Sequence, residues 1–479
     1  MRKTKNIYDL KWKAIVPCYI VAWIILTMMT LFMNWAEALE DAGVKIAMQA
    51  LTSALLLMSL GVYCYYGDTK SLQQARNTIV MFITMIMSYG IIWAASLWTT
   101  YGMYIVPIAL CSLVLFLLVP GRSGFFANLV IVLLFFFQSV IWKNSVFDTE
   151  EYFYMLFGGF VEVVYASFVL GKDYRRLRYI VMGALLGVLA AVCVVIDHAI
   201  FSGAFTWEDF GIKAVCAFAS GILGVMLMFV IVPVFERIFK TTSVFRFSEI
   251  ANSDTELMLK LFELAPGTYN HSLTVASYVE ACAMAIGQST VVARACSYYH
   301  DIGKMKNPMY FSENQLSGVN LHDSMTPEAS VNMIKVHTAN GLAIAKEYGL
   351  PKEVQAAIME HHGTMPMKYF YLKAQKYTDG ELPYKGYCYD GPKPKSKISA
   401  ILMLCDASEA ALRSSGDKSM AEKIVNGIVN ERIAFDQFSD CDITMKELDI
   451  IKSTIINTYL GIRHERVKYP DVKLTGDNK

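Results

Sequence analysis

Histidine and aspartate residues in the second half of the chain form one ordered pattern. The chain has eight histidines, and five of them join two aspartates at steps of 29, 37, 24 and 44 residues (271 to 300, 300 to 337, 337 to 361, 362 to 406). In chain order the positions are His271, His300, Asp301, His337, His361, His362 and Asp406. A His-Asp dyad alone is a weak signal, because a second one occurs at His322-Asp323. The whole ordered set is therefore what predicts a functional site.

Imidazole and carboxylate groups are suitable ligands for zinc, manganese, iron and similar divalent metals. Seven such groups are too many for one tetrahedral ion, but they are about right for two ions that share a bridging carboxylate. A two-metal site stabilises both the attacking and the leaving oxygen of a phosphoryl transfer and lowers the pKa of bound water. The pattern therefore predicts metal-dependent hydrolysis of a phosphate ester.

Cysteine offers an alternative chemistry, a nucleophilic Cys-His site, because Cys405 adjoins Asp406. Most intracellular cysteines of this kind are small buried residues, so the metal site is the preferred hypothesis. The chain has ten cysteines, and none of them belongs to a C-x-x-C pair. This usage favours a reducing, cytoplasmic environment for the second half of the chain.

Helices are the elements expected to position these ligands. Apolar residues recur at helical spacing in 271–286, 328–348 and 398–412, whereas strand signals are scarce. The segment 377–397 is rich in Gly, Pro and Lys and is predicted to be an exposed loop. The stretch 237–262 contains no Gly/Ser linker. We therefore expect a helical connector that couples the ligand-bearing region mechanically to the residues before it.

The first half of the chain has the composition of a membrane protein. Overall, 55% of the 479 residues are hydrophobic and 18% are charged, and the mean hydropathy is +0.38. A net charge of +1 means that the chain lacks the excess of basic residues typical of proteins that coat DNA or RNA. The apolar excess excludes a single soluble globular protein. Eight apolar runs are each about long enough to cross a bilayer. They cover residues 14–33, 46–66, 78–98, 102–119, 124–142, 152–171, 178–198 and 212–235.

The charged breaks between these runs predict orientation. Lys and Arg precede the first run and follow the second, fourth and sixth runs, whereas acidic residues dominate the breaks after the first, fifth and seventh. Under the positive-inside rule, eight crossings with both termini in the cytoplasm satisfy every break. If the two short runs that meet at Pro120-Gly121 formed one re-entrant hairpin, the count would fall to six and the termini would stay inside.

Few ionisable residues interrupt the runs, and Glu162 and Asp197 are the clearest. A membrane carboxylate is by default a functional-site hypothesis, but packing or interfacial roles are the favoured interpretation of these two. A transporter would show several such groups or paired broken helices. The membrane half is therefore predicted to be an anchor or a sensor.

Longer sequence blocks surround the ligand positions. They read ELAPGTYNHS at 263–272, YYHDIGKMKNPMYFSENQ at 298–315, NLHD at 320–323, EHHGT at 360–364 and YDGPKPKSKISAILMLCDASEAALRS at 389–414. With these blocks the chain resembles the HD phosphohydrolase superfamily. More closely, it is similar to the bacterial membrane-bound seven-transmembrane HD family, whose type members are cyclic-di-AMP phosphodiesterases. The membrane half is similar in layout only.

The resemblance implies a role for each matched position. His271, His300, Asp301 and Asp406 would hold one metal ion; His337, His361, His362 and the bridging Asp301 would hold the other, with iron or manganese as the expected ions. Lys304 would contact a substrate phosphate and offset charge in the transition state, and with Asp301 it forms the expected catalytic pair. Tyr310 and Arg413 are weaker candidates for phosphate or base contacts. His322 would be structural and could orient a ligand.

The chain departs from the family pattern at three places. The type family inserts a large extracellular domain after its first crossing, whereas here only residues 34–45 separate the first two runs. Asn270 stands where many members have a second histidine, and Ala407 stands where they have serine. None of these positions is an expected ligand, so metal binding is retained while substrate preference could differ.

The sequence thus predicts an all-α protein: a polytopic transmembrane helical bundle over 1–236, a helical connector over 237–262 and an all-helical cytoplasmic HD domain over 263–479. The expected function is hydrolysis of a cyclic dinucleotide, cyclic-di-AMP first, to the linear dinucleotide pApA by a multi-pass protein of the cell membrane. Alternatives are another nucleotide or phosphate ester as substrate, or a receptor that binds the dinucleotide without cutting it. The expected partners are this substrate and the lipid bilayer, without a DNA or RNA polymer. Homodimerisation through the connector is a further hypothesis, although no heptad supports it.

Overall fold

The computed structural model describes residues 12–34, 43–72, 74–98, 101–119, 121–142, 149–169, 176–201, 207–315, 320–378 and 382–462. The chain divides into an N-terminal unit, Met1–Ser243, and a C-terminal unit, Val244–Lys479. Over the described residues both units are helical, and the only extended pairing is a single bridge between Pro366 and Cys388. The prediction of an all-α fold is confirmed.

The N-terminal unit contains eight helices of nine or more residues in its described part. They are α1 (Trp12–Met33), α2 (Gly43–Tyr66), α3 (Ala75–Trp98), α4 (Leu110–Leu118), α5 (Ser123–Ile141), α6 (Thr149–Val169), α7 (Arg176–Phe201) and α8 (Trp207–Phe239). Five of them, α1, α2, α3, α7 and α8, are long and apolar enough to cross a membrane. The shorter apolar stretches are Gly102–Leu118, Ser123–Gln138 and Phe153–Phe168. Each predicted run thus falls on an apolar helical segment, and the chain is a multi-pass membrane protein.

Gly121 and the start of α5 lie against a residue that precedes α3. One carboxylate oxygen of Asp68 accepts hydrogen bonds from the backbone N–H groups of Arg122 and Ser123, at 2.8 and 2.9 Å. Gly121 has φ +110°, and a Cβ built there would lie 2.1 Å from the Asp68 carboxylate. Only glycine permits this approach, so a residue far away in sequence caps the start of α5.

The C-terminal unit contains ten helices in its described part. They are α9 (Val244–Ile250), α10 (Glu256–Leu264), α11 (Pro266–Ala285), α12 (Thr290–Tyr299), α13 (Pro327–Glu347), α14 (Lys352–Glu360), α15 (Lys368–Gln375), α16 (Lys397–Ser415), α17 (Ala421–Ala434) and α18 (Met445–Ile462). Short 3₁₀ turns join α12 to α13. One apolar core is shared by α11, α12, α16 and α18, with Val279, Cys296, Leu404 and Ile451 fully buried within it.

Two predicted segments can be compared with the helices and burial of the structure. Helix α8 continues past residue 236 to Phe239, and Lys240 then leaves the helix with φ +50°; the predicted connector 237–262 contains α9 and most of α10. In the predicted loop 377–397, Tyr387 and Cys388 are buried, because the Pro366–Cys388 bridge draws this part against the unit. The basic N-terminal residues, the break at 35–42 and residues 463–479 lie outside the described residues.

Candidate metal centre

The two helices α11 and α12 present the first half of the predicted ligand set. His271 lies one turn and a half into α11, on the face that buries Val275 and Val279. His300 ends α12, and Asp301 begins the 3₁₀ turn Ile302–Lys306. The change from α-helix to 3₁₀ turn therefore directs two adjacent side chains toward the same interior space.

Gly303 allows α13 to approach this turn. A Cβ at Gly303 would lie 1.9 Å from the carbonyl oxygen of His337 and 2.4 Å from the backbone nitrogen of Gly341. No side chain fits in that space, so the glycine of the HDIGK block brings the backbone of α13 against the dyad. The imidazole of His337 is thereby placed beside Asp301.

The seven predicted ligands come together as two groups that share one carboxylate. In each group the candidate donor atoms lie within 4.8 Å of one another. One group is His271, His300, Asp301 and Asp406; the other is Asp301, His337, His361 and His362. All of these residues except His362 are buried. Among the described His, Cys, Asp and Glu residues, these are the two groups that could hold a metal ion.

Asp301 directs one carboxylate oxygen to each group. Oδ2 lies 3.2 Å from His300 Nε2 and 3.8 Å from His271 Nε2. Oδ1 lies 3.4 Å from His337 Nε2 and 3.6 Å from His361 Nε2. This is the arrangement expected of a carboxylate that bridges two metal ions.

The donor atoms fit a metal better than they fit one another. The Nδ1 atoms of His300, His337 and His361 each lie within 2.9 Å of a backbone carbonyl oxygen three residues earlier. These contacts fix a proton on Nδ1 and direct Nε2 toward the shared carboxylate, the ring orientation of metal-binding histidines. His300 Nε2 and Asp301 Oδ1 are also buried without a hydrogen-bond partner. Buried polar atoms are normally satisfied, so this orphaned pair supports a bound cation.

Electrostatics divides the histidines into two classes. Burial opposes the charged form of His271 and His300, but the carboxylates around them outweigh it and raise the pKa to about 9 for His271 and about 10 for His300. Burial lowers the pKa of His337 to about 4. The pKa of Asp301 is held well below its usual value although it is buried, because Lys304 and His300 favour its charge. The site therefore keeps its shared carboxylate ionised.

Lys304 lies between two carboxylates. Its Nζ is 2.7 Å from Asp301 Oδ2 and 2.8 Å from Glu313 Oε1, and it sits 4.8 Å from the centre of the Phe311 ring. Burial disfavours its charge, but Asp301 and Glu313 raise its pKa nonetheless. The predicted phosphate contact is thus a lysine already paired with the bridging carboxylate.

Tyr310 and Arg413 belong to neither of the two groups. The backbone carbonyl of Tyr310 lies 2.8 Å from Nε2 of the buried His322, so that histidine supports the 3₁₀ segment. Arg413 is about half exposed, and its Nη1 lies 3.3 Å from Glu409 Oε1. Cys405 lies in the core with its Sγ 3.9 Å from that of Cys282, and burial raises the pKa of its thiol. A nucleophilic cysteine is therefore not supported.

A cavity of about 200 Å³ opens over the metal-compatible groups. It is lined by His361, His362, Met365, Pro366, Lys368, Tyr389, Met403, Asp406, Ala407, Glu431 and Arg432. The Tyr389 ring stacks on His362, with 4.2 Å between ring centroids. Tyr310 and Arg413 do not line this cavity.

Sequence reasoning missed several residues of this site. Glu409 lies with one carboxylate oxygen 2.6 Å from His271 Nδ1, and its position three residues after Asp406 on a helix could have revealed it. Glu313, the second partner of Lys304, lies inside a recognised block but carries no motif of its own. Lys368, Glu431 and Arg432 come from α15 and α17, where no sequence signal pointed to a site.

Two family models match regions of this chain. The family described as "7TM receptor with intracellular HD hydrolase" matches residues 44–243, and the HD domain family matches residues 268–411. The first region contains seven of the eight apolar helical segments that the structure describes.

Curated relatives match most of the chain. The cyclic-di-AMP phosphodiesterase PgpH of Listeria monocytogenes is 33% identical over 91% of this chain and 59% of its own length. PgpH of Bacillus subtilis is 32% identical over 87% of this chain and 59% of its own length. The chain thus spans about three-fifths of the length of these relatives.

Solved structures match the C-terminal region. The crystal structure of the L. monocytogenes PgpH HD domain is 43% identical, covers 44% of this chain and 100% of its own, and has a TM-score of 0.42. The structure of that domain in complex with cyclic-di-AMP is also 43% identical, covers 44% of this chain and 99% of its own, and has a TM-score of 0.43.

Proposed function

Since this chain belongs to the family of seven-transmembrane receptors with an intracellular HD hydrolase domain, we propose that it is a membrane-bound, metal-dependent phosphodiesterase. Its substrate is a cyclic dinucleotide, cyclic-di-AMP, and its product is the linear pApA. The observation that carries the proposal is the pair of metal-compatible groups sharing Asp301. The two curated relatives are named as cyclic-di-AMP phosphodiesterases, which supports the choice of substrate.

Metal dependence follows from the HD family, and the ligand assignment is part of the proposal. His271, His300, Asp301 and Asp406 hold one ion; His337, His361, His362 and Asp301 hold the other. Nitrogen and carboxylate donors suit iron or manganese, which we propose as the ions. When bound, two such ions supply Lewis-acid polarisation of the phosphoryl group and activation of water.

The protein's own residues keep this site ready for the reaction. The carbonyl contacts of His300, His337 and His361 fix their ring orientation, so no reorganisation is needed when substrate binds. Lys304 Nζ lies 2.7 Å from Asp301 Oδ2, and its charge beside the shared carboxylate would offset negative charge on the phosphoryl oxygens. Tyr310 and Arg413 stay predictions for substrate contacts.

The proposed location is the cell membrane, with the N-terminus and the HD domain in the cytoplasm. The Lys and Arg distribution between the runs supports this orientation, and the family's description of an intracellular HD hydrolase agrees. We also propose that the chain is divided into a membrane region, a helical connector and an HD domain. Homodimerisation through that connector is part of the same proposal.

Turnover by the full chain tests this function. The protein is purified in detergent without oxygen and loaded with iron or manganese, and cyclic-di-AMP and cyclic-di-GMP are followed by chromatography. We expect metal-dependent conversion of cyclic-di-AMP to pApA, abolished in Asp301→Ala. The matched control is Asp323→Ala, which removes the exposed aspartate of the second His-Asp dyad and should retain full activity.

Two results would contradict the proposal. Turnover by Asp301→Ala at the wild-type rate would refute the role of the shared carboxylate. Metal-loaded wild-type protein that cuts neither nucleotide would exclude the substrate, and tight binding of uncut cyclic-di-AMP would then identify a receptor.

A further inference from the structure

Arg432 lines the cavity together with two of the histidine ligands, and nothing in the sequence motifs accounts for it. It lies near the end of α17, its side chain is 14% exposed, and it lines the same cavity as His361, His362 and Asp406. We propose that Arg432 forms a subsite for a phosphodiester group of the substrate. This inference rests on the proposed function.

The guanidinium of Arg432 has unused donors. Nη1 contacts Glu431, whereas Nε is buried without a hydrogen-bond partner. An arginine carries five N–H donors in a rigid fork that matches the oxygens of a phosphate. A buried donor without a partner costs free energy unless a ligand satisfies it, so the side chain is prepared for an acceptor that enters the cavity.

Glu431 pairs with two cations, so the guanidinium of Arg432 is available to bind an anion. One carboxylate oxygen of Glu431 pairs with Lys368 and the other with Arg432. Lys368 is mostly exposed, at 59%, so it can keep Glu431 neutralised while Arg432 turns its fork to an incoming anion. Lys368, Glu431 and Arg432 together add a net positive charge to the lining of the cavity, as an anion subsite requires.

The size of the cavity fits recognition of one part of the substrate. At about 200 Å³ it is smaller than the pockets that enclose a whole small-molecule ligand, about 300–1,000 Å³. A cyclic dinucleotide is therefore held only in part, and a phosphodiester over the histidine and aspartate ligands comes within reach of α17. The apolar lining from Met365, Pro366 and Ala407 leaves Arg432 as the buried cation of this wall.

Kinetics of full-chain variants with cyclic-di-AMP test the subsite. Loss of a charge-assisted bond in Arg432→Ala should raise KM about tenfold to one-hundredfold. Arg432→Lys keeps the positive charge but lacks the forked guanidinium, so its KM should lie between those of the wild type and Arg432→Ala. Glu431→Gln removes the competing carboxylate and should lower KM by about two- to tenfold. Lys423→Ala, an exposed cation on the same helix, is the control and should leave KM unchanged.

The opposite changes in KM expected for Arg432→Ala and Glu431→Gln distinguish a role in substrate binding from a purely structural role. If the pair were only structural, Glu431→Gln and Arg432→Ala would raise KM alike and lower the melting temperature alike, which would overturn the proposal. An unchanged KM in Arg432→Ala with full metal content by elemental analysis would also overturn it.

Calorimetric titration with inorganic phosphate keeps this inference separable from the proposed function. Metal-loaded wild type should bind phosphate about tenfold or more tightly than Arg432→Ala. If the wild type cuts no cyclic dinucleotide, the function is refuted, and this titration alone decides the subsite. Equal phosphate affinity of the two proteins would refute it.

Discussion

Buried carboxylates have opposite surroundings in the two units of this chain. In the C-terminal unit, Asp301 lies within 3.8 Å of four histidines and Asp406 within 3.8 Å of three. In the N-terminal unit, Glu162 and Asp197 are at least as buried, yet no oxygen of either has a hydrogen-bond partner. A buried charge is stable only when it is paired or coordinates a metal. Both units thus contain buried acids. The histidines around Asp301 and Asp406 distinguish the metal-compatible site from the isolated carboxylates of the N-terminal unit.

The units also begin their helices differently. In the C-terminal unit, Thr255, Ser289, Thr326 and Ser396 each accept a hydrogen bond at the start of the following helix, so nearby sequence fixes these ends. In the N-terminal unit, the described cap residues of α4 and α5 make no such bond, and the distant Asp68 caps α5 instead. Nearby side chains thus cap four helices of the C-terminal unit, whereas the described start of α5 depends on a residue distant in sequence.

Removal of metal should produce the largest difference between the units. If the ions are present at a hundred to a thousand times their dissociation constants, they stabilise the folded C-terminal unit by about 3–4 kcal/mol. Chelation should therefore increase hydrogen exchange in α11, α12, α13 and α16 by two to three orders of magnitude. Exchange in α6, α7 and α8 should not change. Equal loss of protection in both units would contradict the assignment of metal to the C-terminal unit.

Substitution of Glu409 should have the next largest effect. Its carboxylate lies against Nδ1 of His271 and orients that ring for a metal, so Glu409→Gln should weaken metal binding about tenfold to one-hundredfold. Competition with a chromophoric chelator measures the change. Glu422→Gln, an exposed acid on α17, is the matched control. Unchanged affinity in Glu409→Gln would mean that the backbone alone orients His271.

The same contrast explains how much could be predicted from the sequence. Six of the seven expected ligands could be picked out because they lie inside blocks of characteristic residues, whereas His337 lies outside these blocks and was recognised from the ordered spacing alone. Gly303 and the HDIGK block fix the turn that joins His300 to Asp301. Lys368, Glu431 and Arg432 were not predictable, because α15 and α17 meet at the cavity through packing of helices distant in sequence. The Asp68 cap of α5 was missed for the same reason, since it depends on a contact across 54 residues.

Replacement of the buried acid Glu162 in the N-terminal unit should stabilise the protein, whereas the changes described for the C-terminal unit weaken metal binding or stability. Glu162 is fully buried and its oxygens lack hydrogen-bond partners, so replacing it with an apolar side chain of similar length removes a cost. Glu162→Met should raise the free energy of unfolding by roughly 1–2 kcal/mol. Unfolding in mixed SDS micelles measures this change, with Glu208→Met, an exposed acid of α8, as control. Destabilisation by Glu162→Met would show that this carboxylate has a functional or structural partner after all.

The smallest expected effect concerns the start of α18, which is capped by residues close to it in sequence. Thr444 and Glu447 cap each other: Glu447 N–H donates to Thr444 Oγ1 at 3.2 Å, and Thr444 N–H donates to Glu447 Oε2 at 2.8 Å. Thr444→Ala should lower the free energy of unfolding by about 1 kcal/mol at pH 7. The control is Thr458→Ala, on the last turns of the same helix, where the hydroxyl only bonds back to the Thr454 carbonyl.

The cap should also depend on pH. Burial favours the neutral form of Glu447, but hydrogen bonds from Lys397 and Thr444 outweigh it and lower its pKa. A carboxyl whose folded pKa is depressed contributes stability above its unfolded pKa, about 4.3, and loses it as pH falls through the folded value. The melting-temperature difference between wild type and Glu447→Gln should therefore be constant from pH 7 to about 5 and shrink below about 4. A difference that persisted at pH 3 would mean that packing of the Glu447 side chain, and not its charge, stabilises α18.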